Sequence, residues 1–507
     1  MIEPCYTCRR RHIQCDRTQT PCSKCQKAGL KCLDKRPVRW VQGVAIRGSM
    51  RGRIFQNDSV SSSPVEPVDT RSTTPVEAPR QGDVIASPSG APLAAEMVPT
   101  HSAMSNVPVS LKDGAFSGLD LTSHYYLNYY NERICELFIV YDSDSNPFRS
   151  LIPLALTDKV LLEAVCALAA RHRANFEQPF LTNTTGLALV SPDFDREALR
   201  FKYRAIQGLS NSLTAQTSYH DATVASVFLL VFLDLLESGC DRWNYHLEGA
   251  KSLMALKPAH DPGRTLQRIR KFIVKQTHLI EALGATFVRP ELLSKSSSID
   301  ESANLLQDVV EESFLGCPEY ILTAVQFLSL QRDLIANGNI SDQASFNEVL
   351  SVVDAVIDFD CYTWATALPQ ESVTRDINDL CKLARTYQLG AMLYGRRVLD
   401  ALEHVQTNQE SVVIELVETI NSLQNGSNLL KCTLWPITVA GLESRSQHQR
   451  DTLLRALEKF WLDTRCLNVT NAAKILQTYW KKIDEDKAVA TDWIFDIGRL
   501  SHDWLLI

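Results

Sequence analysis

The chain has 507 residues, 45% hydrophobic and 22% charged, and its 52 Lys/Arg against 59 Asp/Glu give a formal net charge of −7. That balance is ordinary for globular proteins and excludes wholesale disorder and fibrous architectures, while the length corresponds to about three domain-sized units. The most apolar run, Ala222 to Leu233, is followed by Asp234 and falls short of the roughly 20 residues a span needs, so no membrane partner is expected. The N-terminus MIEPCYTCRRRH has no apolar signal core. Fourteen cysteines in such a chain argue for metal ligation or lone thiols before disulfides.

The charge is segregated. Residues 1–56 hold 13 Lys/Arg against Glu3, Asp16 and Asp34, a surplus of +10 that leaves −17 for the other 451 residues. A basic arm on an acidic body is expected where one end of a chain meets a polyanion; a solvated basic tail is the bland alternative.

Within residues 1–36, Cys5, Cys8, Cys15, Cys22, Cys25 and Cys32 are spaced C-x2-C-x6-C-x6-C-x2-C-x6-C, the unit CYTCRRRHIQC recurring as CSKCQKAGLKC. Two cysteines three apart can hold one metal from a single turn, and the third lies about two helical turns further on the same side. Three thiolates per half leave each tetrahedral zinc one ligand short, so both shells close only if two of the six sulfurs bridge. Six thiolates around two Zn2+ sum to about −2, which neighbouring Lys and Arg offset. A disulfide knot would need an oxidising compartment, and a single four-cysteine site would leave two cysteines unexplained. The spacing therefore predicts a binuclear zinc site.

Residues 37–56 form a basic arm with Gly43, Gly48 and Gly52 but no apolar heptad, which rules out a coiled-coil seam there. Its Arg39, Arg47, Arg51 and Arg53, with Trp40 between, suit a phosphate-tracking arm or a nuclear import signal as well as they suit a solvated linker. Residues 57–117 read as a disordered Ser/Thr/Pro-rich tether: its first 54 residues carry 8 of the 21 prolines and no aromatic side chain. Residues 118–507 show helical periodicity without a βαβ rhythm, predicting a large all-α body with one core or two joined ones. Thr157 is the expected N-cap of DKVLLEAVCALAARH. DATVASVFLLVFLDLLESG reads as a central buried helix with a Ser-Gly stop, and EGAKSLMALK, LLQDVVEESFL, ESVVIELVETINSLQ and AAKILQTYWKKI as amphipathic helices.

These residues carry a resemblance. The cysteine spacing, with CRRRHIQCD after the second cysteine, is similar to the Zn2Cys6 zinc-cluster DNA-binding domain of fungal transcription factors. The resemblance implies that Cys5 and Cys22 bridge the metals, Cys8 and Cys15 completing one zinc and Cys25 and Cys32 the other. It also implies a major-groove helix reading a CGG-like triplet with Arg11 and His12, with Arg9 and Arg17 on phosphates. An arginine fork bonds guanine O6 and N7 in pairs, whereas flanking cations position without reading sequence. Family members usually carry Lys where this chain has His12, and often Lys where it has Gln14. His is shorter and mostly neutral, so either Arg11 takes over the guanine contact or the half-site preference shifts; packing beside the cluster is the other role open to His12.

The body, through HYYLNYYNERICELFIVYDSDSNPFRSLIPLAL, the DATVASVFLL run and DWIFDIGRLSHDWLLI, resembles the fungal-specific transcription factor domain. That likeness implies a helical regulatory domain open to homodimers, coregulators and a small-molecule effector. The body has no HExxH, GxSxG, GxxxxGK[ST] or GxGxxG, so no enzyme is expected. Its eight scattered cysteines read as small buried hydrophobes, His246 and Glu248 as helix packing before a site, and His172 as a cation at a helix C-terminus. The acidic-aromatic ending reads as a closing core helix before an activation surface. Together these readings describe a nuclear DNA-binding regulator of RNA polymerase II genes, with a non-DNA-binding cofactor that has lost base readout as the alternative.

Overall fold

The computed structural model describes residues 5, 7–8, 13–16, 21–28 and 32 of the N-terminal unit. It also describes 118–507 apart from 182–191, 216–219, 241, 256–263, 291, 294–312, 339–342, 369–374, 425–426, 486–492 and 498–501. The arm and tether read at 37–117 lie outside the described residues. The chain divides into two compact units, Met1–Pro99 and Thr100–Ile507.

Among the described residues of the first unit, helix α1 (Ser23–Lys27) is the one element long enough to name. In the second, regular structure among the described residues is helical, save one antiparallel bridge between Cys240 and Trp504. Helix α2 (Leu121–Tyr129) passes through a π-helical turn at Tyr130–Ile134 into α3 (Cys135–Leu137). Then come α4 (Leu151–Thr157), α5 (Lys159–Asn175), α6 (Pro192–Ala215), α7 (Asp221–Glu237), α8 (Trp243–Ala255) and α9 (Arg264–Gly284). The second half holds α10 (Glu319–Ala336), α11 (Gln343–Ile357), α12 (Cys361–Ala367), α13 (Ile377–Glu403) and α14 (Glu410–Gln424). It closes with α15 (Leu434–Glu443), α16 (Gln447–Thr464), α17 (Leu467–Glu485) and the short α18 (Trp493–Asp496).

Two helices organise this body. Helix α5 packs on α2, α4, α6 and α7, whereas α13 touches α10, α11, α12, α14 and α15. Helix α9 lies against α7, α8 and α10, and α17 against α7, so the two groups share one continuous core. The sequence left one core or two joined cores open; the described residues of the body form one.

Helix α7 is buried at every position from Ala222 to Leu236, as its unbroken apolar run predicts. Its Ser226 hydroxyl donates to the Ala222 carbonyl at 2.7 Å, and Asp234 accepts from His246, so the buried polar groups are satisfied. Gly239, two residues past the helix, sits at φ +67, where a Cβ would come within 2.7 Å of Asn468. Helix α13 starts at Asp376, whose carboxylate accepts from the N–H groups of Asn378 and Asp379. Its Gly390 lets Trp435 approach so closely that an added Cβ would stand 2.7 Å from the ring.

Two expectations change, and a third falls mostly outside the described residues. The N-cap of α5 is Asp158, whose carboxylate accepts from Leu161 N–H at 2.9 Å, while Thr157 ends α4. Of LLQDVVEESFL, only residues 313–315 are described, and they are not helical: Val140 N–H donates to the Ser313 carbonyl, and Phe314 N–H to Gln276. The C-terminal ending is core, but as the four-residue α18 followed by an extended tail whose Leu505, Leu506 and Ile507 are buried. Asp503 spends its charge on Arg289 there, at 2.9 Å.

Candidate metal centre and nucleic-acid interface

The two halves of the cysteine repeat fold alike where described. Thr7 and Cys8 form a helical turn after Cys5, and Ser23–Lys27 form α1 after Cys22. Each half therefore places its second cysteine one turn beyond its first. Ile13 N–H returns to the Cys8 carbonyl at 3.1 Å and Gln26 N–H to the Cys22 carbonyl at 3.0 Å. Asp16, immediately after the third cysteine, accepts from Ser23 N–H at 3.2 Å and so joins the first half to the start of the second.

All six sulfurs converge. Cys5, Cys8, Cys15 and Cys22 have ligand atoms within 4.8 Å of one another, and so do Cys5, Cys22, Cys25 and Cys32. Cys5 and Cys22 belong to both sets. Close sulfur pairs stand at 3.6 Å (Cys8–Cys22) and 3.8 Å (Cys5–Cys22, Cys5–Cys25, Cys8–Cys25). Zinc–thiolate bonds of about 2.3 Å in a tetrahedron require sulfurs about 3.8 Å apart, so the donor set fits zinc. Among the described residues no other apolar side chain joins them: the buried cluster is Cys5, Cys8, Cys22 and Cys25, with Cys15 and Cys32 packed against it. Metal ligation is what such a unit has in place of a hydrophobic core.

Backbone donors favour the two shared sulfurs. Burial resists ionisation of Cys5, but Cys8 N–H, 3.4 Å from its sulfur, and the neighbouring thiols hold its pKa below the ordinary thiol value. Cys22 is lowered likewise, first by Cys25 N–H. Burial, first among its causes, pushes Cys8 the other way. The predicted DNA contacts Arg9, Arg11, His12 and Arg17 lie outside the described residues.

The body gathers no second metal cluster among the described residues. His246 and Glu248 are not brought together: His246 Nδ1 meets Asp234 at 2.7 Å, and Glu248 meets Lys251 at 3.1 Å. His172 corrects the sequence reading, because it is buried and burial lowers its pKa to about 3, so it is neutral. Its Nδ1 lies 2.9 Å from the Tyr129 hydroxyl. Of the body cysteines, Cys135, Cys166, Cys317, Cys361, Cys432 and Cys466 are buried and Cys240 and Cys381 half-buried, in line with their reading as small hydrophobes. Sequence reasoning missed Asp16, although its place directly after Cys15 was a usable signal. It also missed the buried Arg397–Glu443 pair at 2.7 Å, which no local pattern announces.

Twin four-sulfur sites sharing two cysteines, in a chain that continues into a large helical body, define a zinc-cluster regulator. Residues 3–40 match the fungal Zn(2)-Cys(6) binuclear cluster domain, and residues 125–507 match the fungal specific transcription factor domain. The chain belongs to this fungal transcription factor family, and its six N-terminal cysteines serve a DNA-binding domain that takes two zinc ions. It is similar to the acriflavine sensitivity control protein acr-2 of Neurospora crassa, 22% identical over 574 aligned positions covering 98% of this chain and 95% of that protein. No solved structure matches it. No described helix is long and apolar enough to cross a membrane.

Proposed function

We propose that the protein is a nuclear, sequence-specific regulator of RNA polymerase II genes whose zinc cluster reads CGG-like triplets in the major groove. Cys5 and Cys22 bridge the two zincs, Cys8 and Cys15 complete one shell, and Cys25 and Cys32 the other. Arg11 donates to guanine, His12 sits beside it at the base edge, and Arg9 and Arg17 hold phosphates. The observation that carries the reading is the sharing of Cys5 and Cys22 between two four-sulfur sets. The helical body serves dimerisation, coregulators and effectors, and no membrane or catalytic role is assigned to it.

Selection of duplexes from a random pool by the full chain is the test. Enrichment of a CGG-containing motif, lost in Arg11→Ala, is the expected result. A pool with no enriched motif instead supports the second reading, a cofactor that has lost base readout, which His12 and Gln14 in place of lysines favour. The whole-length likeness to acr-2 extends the proposal to control of sensitivity to toxic compounds. Deleting the gene should then change growth on acriflavine.

A further inference from the structure

A cleft of about 600 Å3 opens in the helical body where five elements meet. They are the π-helical turn, the C-terminal end of α5, the N-terminal end of α13, α16 and the 3-10 helix Asn428–Cys432. That volume suits a small molecule. The π-helical turn, a backbone form that recurs at functional sites, brings Arg133 to its wall.

The cleft is acidic by number, but its carboxylates are spent. Asp142 accepts from Arg149 at 2.9 and 3.0 Å and from Asn146 at 2.7 Å. Asp376 caps α13, Asp379 accepts from Lys382 at 3.0 Å, and Asp463 from Lys459 at 3.3 Å. Glu136 is exposed to water. The polar groups left over are donors. Lys431 is half-buried and gives one bond, to the Glu136 carbonyl at 2.7 Å; among the described residues it forms no ion pair. Burial, first among the causes, pushes its pKa down, as for an ammonium short of a counter-charge. The Tyr141 hydroxyl is buried without a hydrogen-bond partner. His172 Nε2 is buried without one as well, the Thr464 backbone favouring a proton on the ring from beyond bonding geometry. Nδ1 of that ring is taken by the Tyr129 hydroxyl, and a phenol gives its proton to imidazole more readily than it takes one, so Nε2 donates. Leu137, Val140, Leu429 and Phe176 add apolar wall.

We propose that this cleft binds a small organic carboxylate with an apolar body, the carboxylate paired with Lys431 and its oxygens taking the bonds that Tyr141 and His172 have to give. Unmet buried donors are costly, and an acceptor-rich ligand removes that cost. Charge selects a carboxylate among acceptors: a neutral carbonyl would satisfy the hydroxyl but leave the ammonium unpaired. A cation would find the carboxylates already bonded and would add to that unpaired charge.

The inference rests on the reading of the body as effector-responsive, and its readout uses no DNA, so it and the duplex selection can fail separately. The test is calorimetric titration of the full chain, zinc-loaded, with 2-naphthoate. Binding at roughly 100 µM is expected, with 2-naphthol and 2-naphthylmethylammonium at least about ten times weaker. Lys431→Met should weaken naphthoate by about 10–100-fold and Tyr141→Phe by about 3–10-fold. Tyr141→Phe removes a hydroxyl that bonds nothing, so its helical circular dichroism should match wild type, and it decides the matter should Lys431→Met unfold. No naphthoate binding at millimolar concentration would overturn the proposal. Tighter binding of the ammonium would overturn it by showing that the carboxylates govern the cleft, and equal binding of all three probes by showing that the apolar wall alone does. Naphthoate binding unchanged in the variants would place the site elsewhere.

Discussion

Arg397 is 6% exposed, and its guanidinium is held by three acidic contacts. Nε and Nη2 each donate to Glu443 at 2.7 Å, and Nη1 donates to Asp400 at 2.6 Å. Trp493 Nε1 adds a bond to Glu443 at 2.6 Å, tying α18 into the same site. Burial works against the arginine charge, but the two carboxylates prevail and raise its pKa above the usual value. Breaking such a pair leaves an uncompensated charge, so Glu443→Leu should cost about 3–5 kcal/mol in urea unfolding, and adding Arg397→Met should recover most of that. His172 gives the opposite case. Its folded pKa, near 3, lies below the unfolded value of about 6.5, so between these the unfolded chain binds the extra proton. Stability is thus complete above pH 6.5 and falls by about 1.4 kcal/mol per unit as pH drops toward 3. In His172→Gln this slope should flatten, as read from tryptophan fluorescence in urea at each pH. The six zinc cysteines were legible because their information lies within 28 residues. Arg397 and Glu443 meet across a long stretch of chain, and that is why no pattern foretold them.

Elements divide along the same line. The helix α7 was visible because burial on every side needs apolar residues on every side, a demand that local sequence records directly. Its neighbour α5 was placed correctly, but the sequence reading started it one residue early: Thr and Asp stand side by side, both capping residues, and only the backbone decides. Asp158 is extended at φ −124, ψ 115, as a cap must be, whereas the Thr157 hydroxyl turns back to the Leu154 carbonyl at 2.9 Å. Asp158→Ala should therefore cost about 1 kcal/mol in chemical denaturation, and Thr157→Ala only a few tenths. The C-terminal ending looked helical because its apolar residues are dense. Its tail is instead extended, since Leu505 N–H pairs with the Gly239 carbonyl at 2.7 Å and Asn468 takes the Ile507 carbonyl at 3.1 Å, partners remote in sequence.

For the molecule as a whole, the net charge of −7 conceals a +10 N-terminal arm and a −17 remainder, and the two units differ as sharply in what holds them together. The body buries aromatic and aliphatic side chains in one core that contains none of the zinc cysteines. Among its described residues, the buried cluster of the first unit is made of cysteines. Ligation must then supply most of its folding free energy, on the order of 10 kcal/mol per structural zinc, while the described residues of the body gather no metal cluster. A chelator should separate the two. Metal analysis of the purified chain should give two zincs per chain, and their removal should abolish duplex binding and make six further thiols reactive toward an alkylating reagent. The helical circular dichroism and its melting temperature should stay where they were, because the body loses nothing it buries. Zinc restored to the stripped protein should return binding in full. A body that melted along with the cluster would show that the two units fold as one.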